Sequence, residues 1–166
     1  MRELLEGRRF GFAVRPQLGH LAAGLGIAVA LLDLMAWFGW GARDTSGFVV
    51  AAYWVAVLTA IVAALATITA FIESTDAPKE DRSFARLDVL AAFVAFLLYG
   101  VSCAFRVVDQ GAAAANPAAL VSSLAGLVIL LIDGVIASTL YASREWHVQG
   151  EEDYEPRRHE KRRRSV

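Results

Sequence analysis

Residues 48–72 read FVVAAYWVAVLTAIVAALATITAFI, a continuous stretch without a single charged side chain. A helix needs about 20 apolar residues to cross roughly 30 Å of hydrocarbon, because it rises about 1.5 Å per residue. The stretch is long enough to do so, and it lacks the polar–apolar alternation that is typical of a barrel strand. It therefore predicts a transmembrane helix.

Three other stretches of the 166-residue chain have the same character, at about 18–39, 87–105 and 117–142. Hydrophobic residues make up 57% of the chain, whereas soluble domains contain about 45–50%. A soluble protein of this size could not bury so much apolar surface. The sequence thus predicts an all-α membrane protein, a bundle of four transmembrane helices.

The basic residues predict how this bundle is oriented. Fourteen of the 16 lie in the N-terminal segment (1–17), in the loop between the second and third spans, or in the tail (143–166). Cytoplasmic segments of membrane proteins carry the excess of Lys and Arg. We therefore expect both termini to be cytoplasmic, around a multi-pass domain at 18–142 in the inner membrane of a bacterium. The charged tail is expected to be disordered.

Two charged residues, Asp33 and Asp133, lie within predicted spans, and Arg106 lies at the exit of one; charge at such depth is costly and indicates pairing or function. Asp33 shares a helical face with Ala22, and Arg106 lies at the outer end of the third span. We predict that Asp33 and Arg106 form an ion pair in the outer leaflet. Asp133 faces the interior without an evident cationic partner, so we expect it to carry a proton.

A second group of polar residues is expected at the inner mouth of the bundle, where His20, Glu73 and Asp88 have similar depths. A histidine that donates to a carboxylate is a common structural contact, and the same contact orients histidine ligands. Haem held by two histidines would need a second buried histidine, and neither His147 nor His159 lies in a predicted span. No cofactor is therefore expected.

Small residues recur at every fourth position and predict the surfaces along which helices approach one another. These stripes consist of Ala22, Gly26 and Ala30, then Ala52, Ala56, Ala60 and Ala64, and finally Ala118, Ser122 and Gly126. They could join helices of one bundle or helices of two protomers, and the pattern does not separate these alternatives.

The end of the tail is strongly basic and could contact anionic lipid, at about 1 kcal/mol per contributing charge. The residues concerned are Arg157, Arg158, Lys161, Arg162, Arg163 and Arg164. The bilayer is the nearest polyanion to this cluster, so we do not expect nucleic-acid binding.

Several short motifs between residues 15 and 148 resemble a family of small four-helix bacterial membrane proteins, domain of unknown function 2231. The motifs are Gly19-His20 and Leu32-Asp33-Leu34 in the first span, Ala85-Arg86-Leu87-Asp88 at the entry and Phe105-Arg106 at the exit of the third, and Leu140-Tyr141 at the end of the fourth, followed by Arg144 and His147-Val148. The resemblance implies a fold and a topology, and it implies no activity.

The chain departs from that family's pattern at two positions. Leu21 and Ala22 follow His20, where family members have a His-Phe-Pro-like element, and Asp88 stands where the third helix would carry a histidine. The second change removes the partner histidine that a haem or metal site in this family would require.

Three functions are compatible with the sequence. An accessory or structural subunit of a membrane complex is favoured by the small-residue stripes, with a membrane-protein partner or a second copy as its contact. A proton- or solute-handling transporter would use Asp33 and Asp133, and a redox protein would hold haem or quinone near His20. No enzyme is expected, because the sequence shows no nucleophile–base pair, phosphate-binding glycine loop or metal-ligand cluster.

Overall fold

A computed structural model describes residues 14–40, 46–75, 77, 81–109, 112–114 and 116–163, with side chains described as far as residue 140. It contains four helices: α1 (Val14–Phe38), α2 (Ser46–Thr75), α3 (Arg82–Val108) and α4 (Pro117–Arg163). Each is long and apolar enough to cross a membrane, α4 through its segment Pro117–Leu140. The predicted all-α bundle of four membrane-spanning helices is confirmed, and the chain is a multi-pass membrane protein.

The four helices form a ring in sequence order. Each packs against its neighbours in the chain, and α1 closes the ring against α4. Short connections make consecutive helices antiparallel, so α1 and α3 run in the same direction. These two helices face each other across the diagonal of the bundle.

The buried face of each helix repeats at alternating steps of three and four residues. In α1 the buried positions are Arg15, Gly19, Ala22, Gly26, Val29, Asp33 and Ala36, and in α3 they are Ala85, Asp88, Ala92, Ala95, Tyr99, Ser102 and Arg106. This 3.5-residue period is that of left-handed helix bundles, because it keeps one face turned toward the partners.

The predicted stripe at the start of α4 is wrong in its register. Ala118 is exposed and Ser122 is half-buried, whereas Ala119 and Ser123 are buried. The reason is geometric: each step of four residues advances about 40° beyond a full turn, so an unbroken series of such steps rotates off the buried face. Alternating steps of three and four do not.

Small residues fill the interior and large apolar residues cover the outside, as is usual where lipid surrounds a bundle. The side chains of Trp37, Trp54 and Phe71, for example, are at least half exposed. Tyr99 is the largest aromatic residue among the fully buried side chains of the described helices. Its ring lies directly against Gly26 of α1 and Gly126 of α4, so these two glycines make room for it.

The end of α1 shows why a glycine-rich turn follows it. Gly39 has a φ of +63°, and its N–H donates to the carbonyl of Ala36 at 3.4 Å while the N–H of Trp40 donates to that of Met35 at 3.0 Å. This is the Schellman arrangement, in which a glycine in the left-handed conformation satisfies the last carbonyls of a helix.

The start of α4 agrees with the boundary expected at Asn116 and Pro117. The side-chain oxygen of Asn116 accepts a hydrogen bond from the N–H of Ala118 at 2.9 Å, which is the N-capping contact. Its amide nitrogen donates to Asp109 at 2.9 Å. The cap residue therefore also joins α4 to the end of α3.

The tail differs from the expected disordered segment at 143–166, since α4 continues as a helix to Arg163. The residues beyond the membrane span include many glutamates and arginines, which are strong helix formers, and the disorder prediction considered only their charge. The predicted lipid contact through the six basic residues at 157–164 lies outside the described side chains. The same holds for most of the N-terminal segment, of which residues 1–13 are not described.

Candidate functional site: two buried charge clusters

The predicted ion pair between Asp33 and Arg106 is confirmed. Arg106 donates from Nη1 to one carboxylate oxygen of Asp33 at 2.7 Å and from Nη2 to the other at 2.5 Å. Both side chains are buried. Two parallel bonds of this kind match the planar guanidinium to the carboxylate, which is the strong geometry for such a pair. We call Asp33 and Arg106 the outer pair, after the predicted orientation.

Two serines hold the guanidinium of the outer pair in place. The Nε of Arg106 donates to the hydroxyl of Ser102 at 3.1 Å, and Nη2 lies 3.4 Å from the hydroxyl of Ser123. Ser102 in turn donates to the carbonyl of Ala119 at 2.8 Å. The outer pair thus connects α1, α3 and α4, and each of the three guanidinium nitrogens of Arg106 has a hydrogen-bond partner.

A second cluster lies at the opposite end of the bundle, where Arg15 meets two carboxylates. Arg15 donates to Asp88 from Nε at 3.0 Å and from Nη2 at 2.8 Å. The same Nη2 donates to Asp133 at 2.6 Å. Arg15 and Asp133 are fully buried, and Asp88 is 5% exposed. We call Arg15, Asp88 and Asp133 the inner cluster.

The expectation that Asp133 lacks a cationic partner is therefore wrong. The reason is that the predicted first span begins at about Leu18, which leaves Arg15 in the soluble segment, whereas α1 begins at Val14. One signal in the sequence could have revealed the contact. Arg15 and Asp33 are eighteen positions apart, which is five turns of 3.6 residues, so they share the interior face of α1.

The two ends of the bundle show the same spacing with the charges exchanged. Asp88 and Arg106 of α3 are also eighteen positions apart, and both diagonal ion pairs join residues separated by 73 positions. Thus α1 carries its arginine at the inner end and its aspartate at the outer end, while α3 carries the reverse. Each charge faces its opposite across the bundle.

The predicted group of His20, Glu73 and Asp88 is only partly brought together. Glu73 lies close enough to Asp88 for their charges to interact. His20 is exposed, and its Nδ1 lies 2.7 Å from the carbonyl of Pro16 on its own helix. Arg15 rather than His20 is the residue that meets Asp88.

Two buried polar atoms of the inner cluster have no hydrogen-bond partner among the described residues: Nη1 of Arg15 and Oδ2 of Asp133. Both lie beside Gly19, at 3.0 Å and 3.8 Å from the position that a Cβ on this residue would occupy. The absence of a side chain at Gly19 thus lets an unpaired donor and an unpaired acceptor lie close to the backbone of α1. An unpaired carboxylate oxygen in such a place can accept a proton.

Compared with known proteins, the chain matches no family model, no curated sequence and no solved structure. The resemblance to domain of unknown function 2231 stays a prediction that rests on its short motifs.

Proposed function

We propose that this multi-pass protein is an accessory or structural subunit of a complex in the bacterial inner membrane, and that a helix of its partner packs against α3. The notch between Gly100 and Ala104 on the outside of α3 is the observation that carries this proposal. The two charge clusters support it, because they make the bundle a firm platform.

The buried charges support a rigid bundle because they are directed at one another. At one end of the bundle Arg15 of α1 binds Asp88 of α3. At the other end Arg106 of α3 binds Asp33 of α1. Removing one partner of a buried ion pair costs about 3–5 kcal/mol. Sliding or parting of α1 and α3 would break both ion pairs, so the contacts favour a fixed scaffold.

The notch on α3 suits a neighbouring helix. Gly100 and Ala104 are both exposed and lie one turn apart, and nothing lies within 4 Å of the position that a Cβ on Gly100 would take. Pairs of small residues at this spacing allow two helix backbones to approach closely in lipid. The notch lies among large outward-facing side chains. A partner helix that packs into it gains contacts that lipid does not supply.

Gly100→Leu is expected to reduce recovery of the partner about tenfold when the protein is purified in a gentle detergent, a loss of about 1.4 kcal/mol. Gly24→Leu is the matched control, since Gly24 is a helical glycine of α1 with equally open surroundings. Equal recovery with both variants would refute the notch as the contact. Recovery of a second copy alone, on a native gel, would assign the notch to self-association.

Proton handling is the second candidate, and the inner cluster favours it. One guanidinium, that of Arg15, serves two carboxylates, those of Asp88 and Asp133. A buried site with one excess negative charge is costly in a low-dielectric interior, and a single bound proton would neutralise it. Asp133 supports this role better than Asp33, because both oxygens of Asp33 are occupied by Arg106.

A carboxylic-acid carbonyl band is expected in the infrared spectrum of the reconstituted protein at neutral pH, and Asp133→Asn is expected to remove or shift it. Asp33→Asn is the control and should leave the band unchanged, because Asp33 is held by two bonds from Arg106. Proton flux into vesicles would then be measured with a pH-sensitive dye. A spectrum without an acid band, or flux that Asp133→Asn does not change, would count against proton handling.

The haem- or quinone-associated alternative gains no support from the described residues. His20 is exposed and contacts its own helix, so it does not join a buried group in which a cofactor could lie.

A further inference from the structure

A groove of about 530 Å³ runs between α2 and α3 on the outside of the bundle. Its walls are mostly apolar side chains of both helices, and they include Thr67 and one cation, Arg86. The other residues that matter for its shape are Ile68, Phe71, Leu90 and Phe93.

The groove has a charged end and an apolar end. Phe71 lies one turn before the end of α2 at Thr75, and Arg86 lies one turn after the start of α3 at Arg82, so both are near the membrane surface. Phe93 is seven residues further along α3, which is about 10 Å deeper. The cation thus lies at the level of the lipid headgroups and the apolar walls lead into the hydrocarbon.

The charge of Arg86 is available to a ligand. Its side chain is exposed, and the ion pairs between described residues use Arg15 and Arg106 instead. An arginine binds phosphate oxygens through parallel N–H bonds, and basic pockets between transmembrane helices bind anionic headgroups.

We propose that this groove binds one anionic phospholipid, with its phosphate on Arg86 and an acyl chain against Phe71, Leu90 and Phe93. Charge complementarity selects the headgroup, because a zwitterionic lipid brings a cation close to the guanidinium. The length of the groove suits an acyl chain, because the side chains of α3 that line it below Arg86 are apolar over about two turns of helix. The site does not depend on the accessory role proposed above.

Native mass spectrometry of the full chain tests the proposal, with phosphatidylglycerol or phosphatidylcholine added in equal amounts. We expect one phosphatidylglycerol to be retained at least fivefold more often than phosphatidylcholine. Arg86→Gln should abolish this preference. Arg82→Gln is the matched control, because it removes the same charge from an exposed position one turn away that does not line the groove.

A second pair of variants tests the acyl-chain part of the site without altering charge. Leu90→Trp is expected to fill the groove and to lower phosphatidylglycerol retention severalfold, whereas Leu97→Trp, at an exposed position of α3 outside the groove, should not. Equal effects of Arg86→Gln and Arg82→Gln would show attraction by surface charge only. Equal retention of both lipids by the unaltered protein would overturn the proposal.

Discussion

Arg106→Leu is expected to lower the free energy of unfolding by about 3–5 kcal/mol, because it leaves the buried carboxylate of Asp33 without its cation. The pair is enclosed, with Arg106 1% exposed and Asp33 fully buried, so water cannot replace the guanidinium. The measurement is unfolding of the purified protein in mixed micelles with increasing denaturing detergent, followed by circular dichroism.

The double variant Asp33→Leu/Arg106→Leu is the control for this result. Replacing both members of a buried ion pair by apolar residues is often close to neutral, so the double variant should be more stable than Arg106→Leu alone. If the double variant is as unstable as the single one, the loss comes from packing around Arg106, and the outer pair does not stabilise the bundle in the way described.

Gly26→Ala is expected to cost about 1–3 kcal/mol, the usual range for adding a methyl group to a closely packed interior. The new Cβ would collide with the hydroxyl oxygen of Tyr99, and it would lie 3.2 Å from Leu127 Cδ1. The Tyr99 hydroxyl has no hydrogen-bond partner among the described residues, so removing it leaves no other group unpaired. Tyr99→Phe should therefore restore most of the stability of Gly26→Ala.

Gly126→Ala provides the comparison, because its Cβ would meet the ring of Tyr99 and not its hydroxyl. The nearest atoms would be Cε2 at 2.8 Å and Cδ2 at 3.0 Å, and phenylalanine keeps both. Tyr99→Phe should thus rescue Gly26→Ala but not Gly126→Ala in the same unfolding assay. Equal rescue of both, or of neither, would contradict the position described for the Tyr99 ring.

The sequence was sufficient for the fold because lipid imposes a simple requirement on each span. Residues 48–72 contain no charge, and a helix is the one local structure that satisfies such a backbone in hydrocarbon without partners. The outer pair followed from the same reasoning, since Asp33 and Arg106 were the two charges at comparable depth near one surface.

The inner cluster could not be predicted from helix boundaries that rest on hydropathy. Hydropathy places the start of a span where the apolar residues begin, and an arginine at that boundary is then assigned to water. Arg15 is nevertheless buried, because its partners Asp88 and Asp133 compensate its charge inside the bundle. That compensation is a property of three helices together, which a pattern within one helix does not contain.

The diagonal position of the ion pairs has a consequence for how the chain is made. Arg106 is synthesised 73 residues after Asp33, and Asp88 is 73 residues after Arg15, so roughly 4–15 s separate the partners at 5–20 residues per second. During that interval the neighbour of α1 is α2, which carries no charge between residues 48 and 72. An unpaired aspartate raises the cost of inserting a helix, by about 3 kcal/mol at the helix centre and by less toward its ends. The first helix therefore gains the ion-pair partners of Arg15 and Asp33 only after the third helix has been synthesised.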